Sequence, residues 1–146
     1  MRKLRLKKTS VALLTAAILA SGSMTAYAAQ PFTYTKMGAS IEETDPYTKS
    51  ISCTAAYVKI KSASYPGGKT GFQVMDEKTY TAASEARELD NSDTDSNTIR
   101  YYGKNNTKNE RGYDYPGKSF KAYLKIYDAG NAPNYSTVKG EWNPNG

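Results

Sequence analysis

Residues 119–127 read SFKAYLKIY, and Phe120, Ala122, Leu124 and Ile126 alternate with Lys121, Tyr123, Lys125 and Tyr127. A strict period of two marks a half-buried strand, because successive side chains point to opposite faces. The aliphatic set is expected on the core and the Lys/Tyr set outside. Residues 128–134 (DAGNAPN) read as a loop, and residues 135–142 as the next strand, paired back on the first. Upstream, residues 50–61 (SISCTAAYVKIK) are also strand-like. Ile51, Cys53, Ala55 and Tyr57 share one phase, Val58 and Ile60 the other. That slip predicts a bulge near Tyr57 and Val58, or a strand covered on both faces. Residues 32–36, 71–74 and 98–102 are shorter candidates. Residues 81–89 (TAASEAREL) hold helix formers for only two turns, too short for a stable isolated helix, and a strand through Tyr80 competes.

Turn chemistry separates these runs. Tyr65, Pro66 and Gly67 and, later, Tyr115, Pro116 and Gly117 both read YPG, each ahead of a strand-like run. Proline presets φ for the second turn position, and glycine accepts positive φ at the third. The flanks of the two YPG motifs differ, so shared turn chemistry is favoured over duplication. Six or seven short strands joined by short turns predict an all-β fold, a small antiparallel β-sandwich or barrel.

The first 28 residues follow another pattern. Arg2, Lys3, Arg5, Lys7 and Lys8 precede an apolar run at 11–20, and Ala26, Tyr27 and Ala28 supply an A-x-A site. This is the order of a secretory signal peptide, with cleavage expected after Ala28 and a single domain over residues 29–146. The apolar run is about half of the ~20 residues that a bilayer span needs, so no permanent membrane span is expected. The leader also explains the charge. Of 20 basic residues it holds five, and of 14 acidic residues none, so the domain is nearly balanced. No basic patch argues for nucleic acid. Cys53 is the only cysteine, so no intramolecular disulfide holds the fold. A secreted, extracellular location is expected.

The chemical inventory is narrow. The chain has no histidine. That removes His-dependent triads and His-ligated zinc. Cys53, in phase with Ile51, reads as a small buried hydrophobe rather than a reactive thiol. Paired carboxylates run glycoside hydrolysis without histidine, and Glu42, Glu43, Glu85, Glu88 and Glu141 are available, but their spacing brings no two face to face. No catalytic residue is assigned, and a small carboxylate hydrolase is the outlying alternative. Residues 90–98, DNSDTDSNT, are rich in calcium-type oxygens. Asp93, Asp95 and Asn97 fit the start of an EF-hand, but Thr98 stands in place of the required glycine and Lys104 in place of the closing glutamate. A non-EF calcium site on Asp90, Asp93 and Asp95 is one reading, and a solvated Asx-rich turn is the other. No other cofactor is indicated.

The second candidate is aromatic. Lys121, Tyr123, Lys125 and Tyr127 form the outer row of the strand at 119–127, with Tyr101, Tyr102, Tyr113 and Tyr115 nearby in sequence. Exposed tyrosine faces stack on sugars, and lysines meet phosphates or wall polymers. The plainer reading is that such pairs only stabilise an exposed sheet face. Overall, the A-Y-A leader, the disulfide-free Tyr/Ser/Asn-rich body and Trp142 in VKGEWNPNG resemble small secreted Gram-positive β-sandwich proteins, including lactococcin-type bacteriocins. The resemblance implies a β-sandwich and allows an antimicrobial role. The leading expectation is non-enzymatic binding of a cell-wall glycan or surface polymer through the Lys/Tyr face.

Overall fold

Tyr, Thr, Val and Ile runs favour extended backbone, and short polar turns leave no room for helical crossovers. The computed structural model describes residues 28–37, 40–103 and 114–146. The signal peptide expected at 1–28 therefore lies outside the described residues, save Ala28. These residues form strands and no helix: β1 (Gln30–Thr35), β2 (Ile41–Glu43), β3 (Tyr47–Lys49), β4 (Ala55–Ala63), β5 (Lys69–Asp76), β6 (Thr81–Ala82), β7 (Arg87–Asp90), β8 (Ser96–Arg100), β9 (Phe120–Gly130) and β10 (Thr137–Asn143). Pairing is antiparallel throughout. One sheet runs β1-β10-β4-β8, and the other runs β2-β9-β5-β6, with β3 also on β9 and β7 also on β5. Among the described residues no helix is long and apolar enough to cross a membrane.

The two sheets stack face to face as a small β-sandwich. Phe32, Val58, Ile60, Val138 and Trp142 from the four-stranded sheet meet Phe72, Val74, Leu124 and Ile126 from the six-stranded one. The rings of Phe32 and Phe72 lie 5.6 Å apart across the interface. On one side the layers are stitched together: Glu85 N–H donates to the Arg100 carbonyl at 3.2 Å, and Tyr102 N–H to the Ala83 carbonyl at 2.9 Å.

Several expectations need correction. The described residues hold ten strands rather than six or seven, and β9 runs on to Gly130, through the first three residues of the loop expected at 128–134. β10 does not pair back on β9, because β9 already has β2 and β3 on one edge and β5 on the other. With no free edge there, β10 crosses to the other sheet and fills the gap between β1 and β4. β4 starts only at Ala55; Ile51 sits 63 % exposed in a turn, and Cys53 is half-buried rather than core. The inward phase of β4 is continuous through Ala56, Val58 and Ile60. Its irregularity falls at Lys61, an extra residue opposite the Lys139–Gly140 step. Residues 81–89 contain β6 and the start of β7, not a helix.

Both YPG motifs are turns: Gly68 N–H reaches the Tyr65 carbonyl at 3.3 Å, and Lys118 N–H the Tyr115 carbonyl at 3.2 Å. Neither Gly67 nor Gly117 takes positive φ, so the glycines are not used as anticipated. Each turn is held by a buried polar side chain. Asn91 donates to the Tyr65 carbonyl at 3.1 Å and accepts from Thr70 Oγ1 at 2.6 Å. Lys49 is fully buried. Its ammonium donates to the carbonyls of Tyr115 (2.6 Å), Pro116 (3.0 Å) and Lys118 (3.0 Å). It also lies 5.1 Å from the centroid of the Tyr101 ring. Burial lowers the Lys49 pKa, and the charges of Cys53 and Asp114 partly oppose that. A buried ammonium needs its donors satisfied, and carbonyl dipoles with an aromatic face do so here without a carboxylate contact.

Candidate functional site

Alternation along β9 sets Lys121, Tyr123, Lys125 and Tyr127 on the outer side of the six-stranded sheet, as expected. They are not equally accessible. Lys121 is exposed, Lys125 and Tyr127 are half-buried, and Tyr123 is only 5 % exposed. Tyr123 lies opposite Met75 of β5 and is hydrogen-bonded to Glu43. Burial, helped by the charges of Glu43, Tyr80 and Asp76, pushes its hydroxyl pKa up. Tyr123 thus belongs to the packing of this face and is not a free ligand surface.

Tyr127 is different. Its partner across the β5–β9 ladder is Gly71, and a β-carbon at position 71 would overlap the Tyr127 ring. The glycine leaves space that the ring fills, a close approach no other residue permits. The ring becomes one wall of a cleft of about 330 Å³ with Ser40, Ile41, Gln73, Lys125 and Asp128. Ile41 is 56 % exposed and extends the apolar part. Asp128 is anchored from behind by Lys36, whose ammonium lies 2.8 Å away and also donates to the Ala132 carbonyl. Burial raises the Tyr127 pKa, with Glu88 adding to it, so the phenol stays a neutral donor. The cleft combines an aromatic wall with a cation, an amide and a carboxylate, a mixture suited to polyhydroxylated ligands.

Other sequence candidates are placed elsewhere. Tyr101, Tyr102 and Tyr115 are core residues, not surface ones. The Tyr101 hydroxyl donates to the Pro144 carbonyl at 2.8 Å. Tyr113 lies outside the described residues. Two exposed tyrosines escaped the sequence reading: Tyr80 and Tyr135, 76 % and 78 % exposed, with φ of 53° and 68°. Positive φ on a bulky residue is strained, and sequence carries no sign of it.

The turn at 90–98 joins β7 to β8. Asp93 Oδ1 accepts from Asp95 N–H at 3.0 Å, and Asp93 Oδ2 accepts from Asn97 Nδ2 at 3.1 Å. Asp90 lies 3.9 Å from the Lys69 ammonium. These oxygens serve an Asx turn and an ion pair, and Asp90, Asp93 and Asp95 do not converge. Among the described residues no three His, Cys, Asp or Glu side chains are grouped to hold a metal. Two of the five candidate glutamates are engaged: Glu42 accepts from Thr35 N–H at 3.1 Å, and Glu141 pairs with Lys61 at 2.5 Å.

No family model, no curated protein and no solved structure matches this chain.

Proposed function

We propose that this is a secreted, non-enzymatic protein that binds a hydroxyl-rich polymer of the bacterial cell surface through the outer face of its six-stranded sheet. The observation that carries this reading is the Tyr127 ring seated over Gly71, at the wall of a cleft that also presents Lys125 and Gln73. An aromatic ring offers a flat apolar surface to a sugar or polyol, while the ammonium and amide donate to its hydroxyls. The ring's position is built into the backbone, so little side-chain entropy is lost when a ligand lands.

The test is retention of the purified protein on isolated peptidoglycan and on intact Gram-positive cell walls at low salt. Wild type is expected to be retained. Tyr127→Ala and Gly71→Ala are each expected to weaken retention by about tenfold, the second because a methyl group displaces a ring that is still present. A wild-type protein that passes through unretained, or two variants that bind as well as it does, would sink the reading. A growth-inhibition assay with the same material distinguishes a binder from an antimicrobial protein.

A further inference from the structure

A second, larger cleft of about 520 Å³ opens where the turn after β5 meets the start of β9. Three lysines line it, from three places in the chain: Lys78 from that turn, Lys118 from the second YPG turn and Lys121 from the outer row of β9. Asp76 and Glu77 also line it, so the lysines leave one positive charge in excess.

The cleft is built rather than incidental. Asp76 is 2 % exposed at its side chain, and its Oδ1 accepts from Lys78 N–H at 3.0 Å. Its Oδ2 has no hydrogen-bond donor, and the Lys118 ammonium stands 3.8 Å from it. That ammonium also lies 5.6 Å from the centroid of the Tyr115 ring. The backbone beneath it is fixed, because the Lys118 carbonyl accepts from the buried Lys49 ammonium at 3.0 Å. The Tyr115 hydroxyl lies 3.3 Å from Thr81 Oγ1 and ties the same turn to β6. Buried groups thus fix the turn that carries Lys118 and hold its ammonium at the wall of the cleft, beside the Asp76 carboxylate. Lysine ammoniums grip phosphate as compact point charges.

We propose that this cleft binds a phosphate ester, and that the surface polymer recognised by the sheet face is a phosphate-bearing one. The identity of the polymer rests on the reading above; the phosphate site does not. Lys121 links the two features. It borders the cleft and heads the outer row that ends at Tyr127, six residues and roughly 20 Å along the strand. A single extended chain that places a phosphate among Lys78, Lys118 and Lys121 passes over the sheet face towards Tyr127.

The experiment is a titration of the protein followed by amide NMR, with glycerol 3-phosphate as the probe and glycerol and acetate as controls. Saturable shifts at Lys118, Ser119 and Lys121 are expected with the phosphate ester, and none with glycerol. Lys121→Gln and Lys118→Gln are each expected to weaken binding by about tenfold, and added salt to weaken it further. Lys121 is exposed, so its substitution leaves the fold intact. Tyr127→Ala is expected to leave the phosphate response unchanged while lowering wall retention. Shifts that do not saturate, an equal response to acetate, or lysine variants within twofold of wild type would overturn the proposal. If the phosphate response fails while wall retention persists, the cleft is excluded and the sheet-face reading stands.

Discussion

The two YPG turns share a tripeptide and a hydrogen-bond pattern, yet they end in different places. Tyr65 is 41 % exposed, while Tyr115 is completely buried. The local sequence makes the turn in both cases. What covers the ring is set by the tertiary neighbours. Around Tyr115 these are the Phe120 ring, 5.1 Å away, and the Lys49 ammonium on the Tyr115 carbonyl. Around Tyr65 the anchoring group is Asn91, which binds the backbone and leaves the ring outside. A turn motif therefore reports backbone geometry and says nothing about whether its aromatic residue is core or surface.

Replacing each ring is the sharpest way to break this comparison. Tyr115→Ala is expected to destabilise the protein by about 3–5 kcal/mol, as large buried rings do, and Tyr65→Ala by less than about 0.5 kcal/mol. Chemical denaturation of the two variants measures both, and similar losses would show that burial does not divide them. The anchors come next in size. Lys49→Met keeps most of the volume but orphans three carbonyls, at a cost of about 3 kcal/mol; Asn91→Ala is expected to cost about 2 kcal/mol. Denaturant midpoints rank the two, and an order reversed from this one would mean that the carbonyl cage contributes little.

The smallest effect is on pH. Because burial lowers the Lys49 pKa, the unfolded chain binds more protons below the ordinary value of 10.5, and stability rises with pH through that window. Tyr101, Tyr102 and Tyr123 shift the other way, above 10.0, so the folded state keeps protons that the unfolded state loses. Stability then falls as pH passes 10.0. Melting temperature against pH should climb slightly and then drop, and Lys49→Met should remove only the climb. A variant that retains the climb would assign it to another group.

The sandwich and the strand at 119–127 were legible because aliphatic residues at a period of two have few alternatives. Tyrosine was the residue that misled. It is amphipathic, so the same letter stands on the core side at Tyr101 and Tyr115, under Glu43 at Tyr123 and in a cleft at Tyr127. No local pattern separates those fates. Lys49 is harder still, since lysine is read as exposed and its cage comes from residues more than sixty positions away. The turn at 90–98 was readable as either a calcium loop or an Asx turn. In the fold the Asp93 oxygens turn towards Asp95 N–H and Asn97, the arrangement of an Asx turn. Gly71 opened the short strand candidate at 71–74, but its place inside β5 and its partner Tyr127 emerged only with the register.

The placement of β10 carries a consequence for how the chain acquires its shape. β1 and β4 touch no common strand except β10, which follows them by more than seventy positions in the chain. Until residues 137–143 pair, β1 has no strand neighbour and β4 has only β8. The four-stranded layer therefore closes in a single late step that joins distant parts of the chain. Such non-local closure belongs to the slow end of folding rates, milliseconds to seconds.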